Sequence, residues 1–304
     1  MKTPVLFLIF NRPELTFRVF EEIRKAQPNQ LYIAADGPRP DKEGEAKKCE
    51  EVRSILNKID WKCEVKTLFR DKNIGCRDAV SSAINWFFDN VEEGIILEDD
   101  CLPDQSFFTF CEILLDIYRS NENIMHISGN NFQNGENKTS DTYYFSKHAH
   151  IWGWATWGRA WKKYDIDLNY LENSLKSKEF NFYLSNDEYD YWVNIFTKVK
   201  KQQIDTWDYQ WLYSIWQNNG ITILPNENLV TNIGFSEDAT HTKEISPLAE
   251  IKTTSIGSKL LHPTEIYLNT AADENYFNRF LRKKNKPTAT KSLVGKLLCL
   301  FRKQ

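Results

Sequence analysis

The stretch Gly94-Ile95-Ile96-Leu97-Glu98-Asp99-Asp100-Cys101-Leu102-Pro103 constrains this chain more than any other. Three apolar residues run straight into three carboxylates, and a proline follows. An apolar run without polar alternation reads as a strand buried on both faces, the situation of a parallel sheet. The carboxylates then fall at its C-terminal edge, where open α/β sheets bind ligands. Adjacent acids repel one another, so such a cluster suits a place where a cation is shared. Hard oxygen ligands suit Mn²⁺ or Mg²⁺, with few protein ligands and substrate phosphates completing the shell. On spacing alone, a solvated acidic turn reads the same way.

The preceding residues supply a sheet for that strand. Val5–Phe10 is a continuous apolar run, broken by Asn11-Arg12-Pro13. Leu15, Val19 and Ile23 recur at helical spacing and predict a helix over Glu14–Ala26. Leu31–Ala35 predicts a strand that ends in the turn signal Asp36-Gly37-Pro38. A helical pattern over Lys42–Asn57, a strand over Cys63–Phe69 and a helix over Cys76–Phe88 follow. This β-α-β-α-β-α-β order implies right-handed crossovers and a doubly wound, mostly parallel sheet. Ligand loops should gather at the strand ends: Asn11-Arg12, Asp36-Gly37, Asp71–Gly75 (with Asn73) and Glu98–Asp100. No G-x-G-x-x-G and no Walker loop is present, which argues against dinucleotide dehydrogenases and P-loop NTPases.

Beyond the acids, Gln105–Ser120 reads as a helix, Ile124–Ser128 as a strand and Gly129–Asp141 as a polar loop. His150–Tyr164 holds Trp152, Trp154, Trp157 and Trp161, with two glycines among them. That stretch is either an aromatic-lined pocket or a tightly packed edge, since buried Trp is common. Leu168–Thr197 and Thr206–Asn218 read as helical, and Gly220 stops the second. Ile221–Leu224 predicts a strand and Val230–His241 a loop.

Net charge is -3, but it is uneven: residues 279–304 carry nine Lys or Arg and no acid, which leaves -12 on the remainder. An acidic body argues against a general nucleic-acid binder and for a local anionic partner of the tail. In that tail, Leu293, Val294, Leu297, Leu298, Leu300 and Phe301 face one side of a helical wheel, opposite Lys291, Lys296, Arg302 and Lys303. Such a helix can lie in an anionic membrane surface, and docking on the body or on a partner is the equal alternative. The six cysteines form no C-x-x-C pair and read as free thiols of a reducing cytoplasm. The run after Met1-Lys2 is too short for a signal peptide and lacks a cleavage site, so a cytoplasmic protein is expected, peripheral on the inner face of the cell membrane if the tail binds lipid.

In this order, the landmarks resemble the GT-A-fold nucleotide-sugar glycosyltransferases. The likeness is to the N-acetylglucosaminyltransferases (type I) that begin complex N-glycans and to small bacterial glycosyltransferases of surface-polysaccharide synthesis. The blocks that carry it are Pro4–Arg12, Ala35-Asp36-Gly37, Glu98–Phe108, Ile127–Asn131, Gly153-Trp154, Trp207-Asp208 and Thr231–Gly234. The resemblance implies a GT-A-type Rossmann-like sheet flanked by helices. A nucleotide-binding part would span about residues 1–130, an acceptor-binding part about 131–278, and a basic amphipathic tail 279–304. It implies transfer of GlcNAc or another hexose from a UDP-sugar to a hydroxyl of a glycan or lipid-linked glycan, with inversion, assisted by Mn²⁺ or Mg²⁺. Arg12, with Asn11 and Asn73, would contact the donor, Asp36 the uracil edge, and Glu98 and Asp99 the ribose and donor sugar. Asp100 would bind the metal with His241, and Asp208 would be the base. Trp152, Trp154 and Trp207 would meet the acceptor. Asn11 stands where the relative has Asp, and Tyr209 where it has a second acid.

Two other classes fit parts of the pattern. A metal-dependent sugar-phosphate nucleotidyltransferase shares the sheet and the acidic site, but ordinarily carries a Gly-rich, basic loop after the first strand. A non-catalytic carbohydrate-binding protein explains the aromatics and has no need of Glu98–Asp100.

Overall fold

The computed structural model describes residues 1–133, 135–136, 138–177, 184–235 and 251–282. The amphipathic tail helix and His241 lie outside the described residues. Strands β1 (Val5–Ile9), β2 (Gln30–Ala35), β3 (Glu64–Phe69) and β4 (Glu93–Glu98) run parallel in the spatial order β3-β2-β1-β4. Helices α1 (Pro13–Ala26), α2 (Glu45–Arg53) and α3 (Cys76–Phe88) connect them.

The continuous apolar runs have a direct cause. Val5, Phe7 and Ile9 of β1 point into a layer with Val19, Phe20 and Ile23 of α1 and with Phe107, Phe110 and Leu114 of α4 (Gln105–Ile117). Leu6 and Leu8 point the other way, against Ala83, Ile84 and Phe87 of α3. Both sheet faces are therefore dry, and neither set of alternating positions can be polar.

The sheet does not end at β4. Strand β8 (Trp154–Trp157) lies beside it antiparallel, followed by β6 (Ile124–Ser128), β9 (Ile221–Pro225) and β7 (Tyr143–Ser146). The result is one eight-stranded sheet, parallel over its first half and mixed over its second. The expected α/β architecture, a mostly parallel sheet flanked by helices, is thus present. A separate antiparallel pair, β5 (Cys101–Pro103) with β10 (Val230–Asn232), ties the chain after β9 to the chain just after the three acids. The remaining helices are α5 (Gly158–Trp161), α6 (Leu171–Ser177), α7 (Asn186–Lys200), α8 (Asp208–Gln217) and α9 (Thr270–Tyr276). A capping box of Ser185 and Glu188 starts α7. No helix among the described residues is long and apolar enough to cross a membrane.

Of the two readings of the tryptophan-rich stretch, packing is the one realised for three of its four tryptophans. Trp154 is fully buried and Trp157 and Trp161 nearly so. Trp154 stacks on Trp207 at 5.7 Å and on His126 at 5.0 Å between ring centroids. Trp211 donates its indole N–H to His126 Nδ1 at 3.1 Å. The other His126 nitrogen faces Ser128 Oγ and the His150 carbonyl. Burial holds this imidazole neutral, down to about 3. The cluster joins β6, β8 and α8 through aromatic area and a fixed tautomer.

Truncating this cluster should cost stability in proportion to burial. Trp154→Ala should lower unfolding free energy by about 3–5 kcal/mol, and Trp152→Ala, partly exposed, by clearly less. Urea unfolding of the two variants checks the order, and a larger loss for Trp152→Ala would contradict the core assignment.

Candidate active site

The acids sit where β4 leaves the sheet. Glu98 is its last residue and shares the face of Ile96, the face covered by α3, α7 and α8. Asp99 and Asp100 turn the chain into β5. Arg12 reaches them from the N-cap of α1, a helix that begins with Pro13. Its guanidinium bonds Asp99 Oδ1 through Nη2, and Asp100 Oδ2 through Nη1 at 3.0 Å. Burial works against the Arg12 charge, but Asp99 and Asp100 outweigh it and hold the cation in place.

One guanidinium does not satisfy three carboxylates. Burial, Asp100 and Asp99 push Glu98 up to about 8, with Asp208 adding to the effect. Burial, opposed by Arg12, pushes Asp99 up to about 6. Asp99 Oδ2 is buried without a hydrogen-bond partner. The cluster is therefore short of positive charge and made of hard oxygens, which fits a divalent cation. Among the described residues no group of three or more His, Cys, Asp or Glu side chains is arranged to hold a metal ion. Any such ion would be held by one or two of these carboxylates and by substrate phosphates.

Asp208 comes from the second half of the chain. It is the first residue of α8, where the helix dipole favours negative charge, and Thr206 donates its hydroxyl to Asp208 Oδ1. Its charge acts on Glu98, on the Cys76 thiol and on the phenols of Tyr164, Tyr209 and Tyr276. Asp208 therefore lies within electrostatic reach of Glu98. Trp207 and Trp211, near Asp208 in sequence, are buried in the core. Cys76 opens α3 at the same place, and burial together with Glu98, Asp205 and Asp208 pushes its thiol up to about 12, so it is no nucleophile.

The donor-side loops are braced by the residues expected to bind donor. Asp36 accepts the backbone N–H groups of Gly37 at 2.9 Å, Ile74 at 3.1 Å and Gly75 at 3.3 Å, while burial raises its pKa. Asn73 donates to the Gly37 carbonyl at 2.9 Å. The two loops approach so closely that a Cβ on Gly37 would lie 2.3 Å from the Lys72 carbonyl carbon. Asn11 donates to Glu45 Oε1 at 2.9 Å, and Glu45 is in turn paired with Arg39. These three side chains therefore shape the strand-end loops around the site.

Of the expected acceptor residues, Trp154 and Trp207 belong to the core and offer no surface. Trp152 is partly exposed and packs edge-on against Phe132 at 5.1 Å and Phe235 at 5.5 Å. Gly234 was not foreseen as a site residue. A Cβ there would fall 2.4 Å from Asp100 Oδ2 and 3.0 Å from Arg12 Nη1, so its backbone lies across their ion pair. Antiparallel pairing of β10 with β5, continued by Ile233 N–H to the Asp100 carbonyl at 2.8 Å, places it there. Its signals in the sequence were its place in a Gly-containing loop and in the Thr231–Gly234 block of the resemblance.

No family model and no curated protein matches the chain. Solved structures show a loose likeness. TarS 1–349 of S. aureus is 10% identical with a TM-score of 0.41, over 76% of this chain and 59% of that one. Apo UDP-glucose pyrophosphorylase is 10% identical with a TM-score of 0.37, over 74% of this chain and 90% of that one. HddC of Yersinia pseudotuberculosis is 10% identical with a TM-score of 0.32, over 52% of this chain and 77% of that one. At these scores the likeness carries no chemistry.

The raised carboxylates have a measurable consequence. Folded Glu98 keeps a proton that the unfolded chain releases, so its contribution to stability is complete below the ordinary Glu range and is lost as pH rises through about 8. The cation-free protein should therefore lose stability between about pH 5 and about pH 8, and Glu98→Gln should flatten the upper part of that fall. Denaturant midpoints across the range test this; an unchanged slope in Glu98→Gln would contradict it.

Proposed function

We propose that the chain is a nucleotide-sugar glycosyltransferase, moving a hexose from a nucleoside-diphosphate donor, a UDP-sugar in the first instance, to a hydroxyl of a glycan or glycolipid. The observation that carries the reading is the convergence of Asp208 on the Glu98–Asp100 cluster. The acid that opens α8 is close enough for its charge to act on Glu98, within a carboxylate cluster suited to a cation. In this reading residues up to about 130 bind the donor nucleotide and residues from about 131 to 278 the acceptor. Surface-polysaccharide or glycoconjugate synthesis is the corresponding cellular role.

The chemistry follows from the residues. The acceptor oxygen forms a bond to the anomeric carbon as the bond from that carbon to the diphosphate oxygen breaks. Asp208 takes the acceptor proton, and a single displacement inverts the centre. Charge grows on the departing diphosphate, and Arg12 lies where its guanidinium can meet phosphate oxygens. A divalent cation, held by Asp100 with Asp99 and Glu98 behind it, would supply Lewis-acid neutralisation of the same charge. Glu98, at the end of β4, would meet a hydroxyl of ribose or of the donor sugar.

A nucleotidyltransferase would instead attack a nucleotide phosphorus and would need basic backbone-rich contacts after β1. Here Asn11-Arg12 leads directly into α1 at Pro13.

Donor hydrolysis and thermal shift with UDP-, GDP- and dTDP-sugars, with and without Mn²⁺, separate these readings. A glycosyltransferase releases nucleoside diphosphate, whereas a nucleotidyltransferase consumes nucleoside triphosphate and releases pyrophosphate. Asp208→Asn should lower kcat about 10²-fold or more while leaving donor affinity nearly unchanged. Asp100→Ala should abolish the Mn²⁺-dependent part of nucleotide binding and keep the fold. Normal turnover by Asp208→Asn would remove the base from this mechanism.

A further inference from the structure

We propose that Arg12 is an internal counterion that competes with a divalent cation for Asp100, so that loading the site requires the guanidinium to let go of one of its two carboxylates. The proposal rests on the glycosyl-transfer reading only for the phosphates that receive the freed guanidinium.

The geometry sets up the competition. Arg12 spans both acids at once, with Nη2 on Asp99 and Nη1 on Asp100 at 3.0 Å. The two carboxylates are not equivalent. The Asp99 side chain is 4% exposed and that of Asp100 is 16% exposed. Breaking the Asp99 pair would leave a deeply buried anion alone, which is costly, whereas Asp100 can exchange one cation for another at the rim. Asp99 Oδ2 remains without a partner, so the cluster accepts more positive charge than Arg12 brings.

Gly234 makes the competition local. Its backbone lies against Asp100 Oδ2, the oxygen that Arg12 uses, leaving no room there even for a methyl group. The other oxygen, Oδ1, has the Cys101 thiol at 3.4 Å, a weak donor. A guanidinium and a dication on one carboxylate repel each other. Release of Nη1 from Asp100 removes that repulsion while Nη2 keeps Asp99 paired. The freed edge of the fork is the shape that binds phosphate oxygens bidentately. Arg12 would thus hold the cluster together before loading and turn to the donor afterwards.

Competition of this kind reduces apparent cation affinity by the fraction of molecules in which Asp100 is free. Mn²⁺ binding to the full-length, nucleotide-free protein, followed by the electron paramagnetic resonance of free Mn²⁺, tests it in wild type, Arg12→Met and Arg12→Lys. Circular dichroism verifies that each is folded. Arg12→Met should bind Mn²⁺ about tenfold or more tightly than wild type. Arg12→Lys keeps the charge but cannot span both acids, so it should also gain, by less. If Arg12→Met does not fold, the Arg12→Lys comparison decides by itself. Equal or weaker binding in the variants overturns the proposal, as does a failure of all three proteins to bind. A gain in Arg12→Met with none in Arg12→Lys also overturns it, because that pattern signals repulsion without exchange. A parallel thermal shift with UDP plus Mn²⁺ is read separately: if wild type ignores UDP, the glycosyl-transfer reading fails while the comparison of variants still stands.

Discussion

Three consecutive carboxylates at the end of a buried strand are an electrostatic problem, and the Arg12 guanidinium is the group that answers it. Arg12 is placed by a backbone event, the start of α1 at Pro13 directly after β1. Because β1 and β4 are parallel neighbours, their C-terminal ends open on the same side and the Arg reaches the acids. The pairing offsets the cost of burying Asp99 and leaves the cluster still short of positive charge, as the unpartnered Asp99 Oδ2 and the raised Glu98 both indicate. A cluster built in this way is short of positive charge and made of hard oxygens.

The second half of the chain brings further groups to the same strand end. The aromatic cluster around Trp154, Trp207 and Trp211 fixes α8 against β6 and β8. Since α8 begins at Asp208, holding that helix also holds the acid near Glu98. The tryptophans thus serve the site by packing at a distance from it. The β5–β10 pair does the same for Gly234, bringing backbone across the Arg12–Asp100 pair. Two structural devices, an aromatic core and a short strand pair, therefore set the positions of groups that no local sequence pattern connects.

The chain itself determined the first half of the fold. Continuous apolar runs can be dry on both faces only in a covered parallel sheet, and each one ends in a turn residue or acid, so the succession of strands and helices from Val5 to Asp100 was legible, along with the strand ends at which ligand loops are expected. Arg12 and Asp100 could be singled out because they fall at strand ends, whereas Asp208 was singled out only through the family resemblance. What tertiary structure alone decided was which groups face each other. Whether Trp154 lines a pocket or fills a core depends on β8 entering between β4 and β6, a long-range antiparallel pairing that period-2 alternation does not encode. Likewise Asp36 and Asn73 brace loops because Gly37 and Lys72 come into backbone contact, and Gly234 covers Asp100 because β10 pairs with β5. Residue types fix the chemistry available at each strand end, and only the pairing of segments distant in sequence fixes the distances across which that chemistry acts.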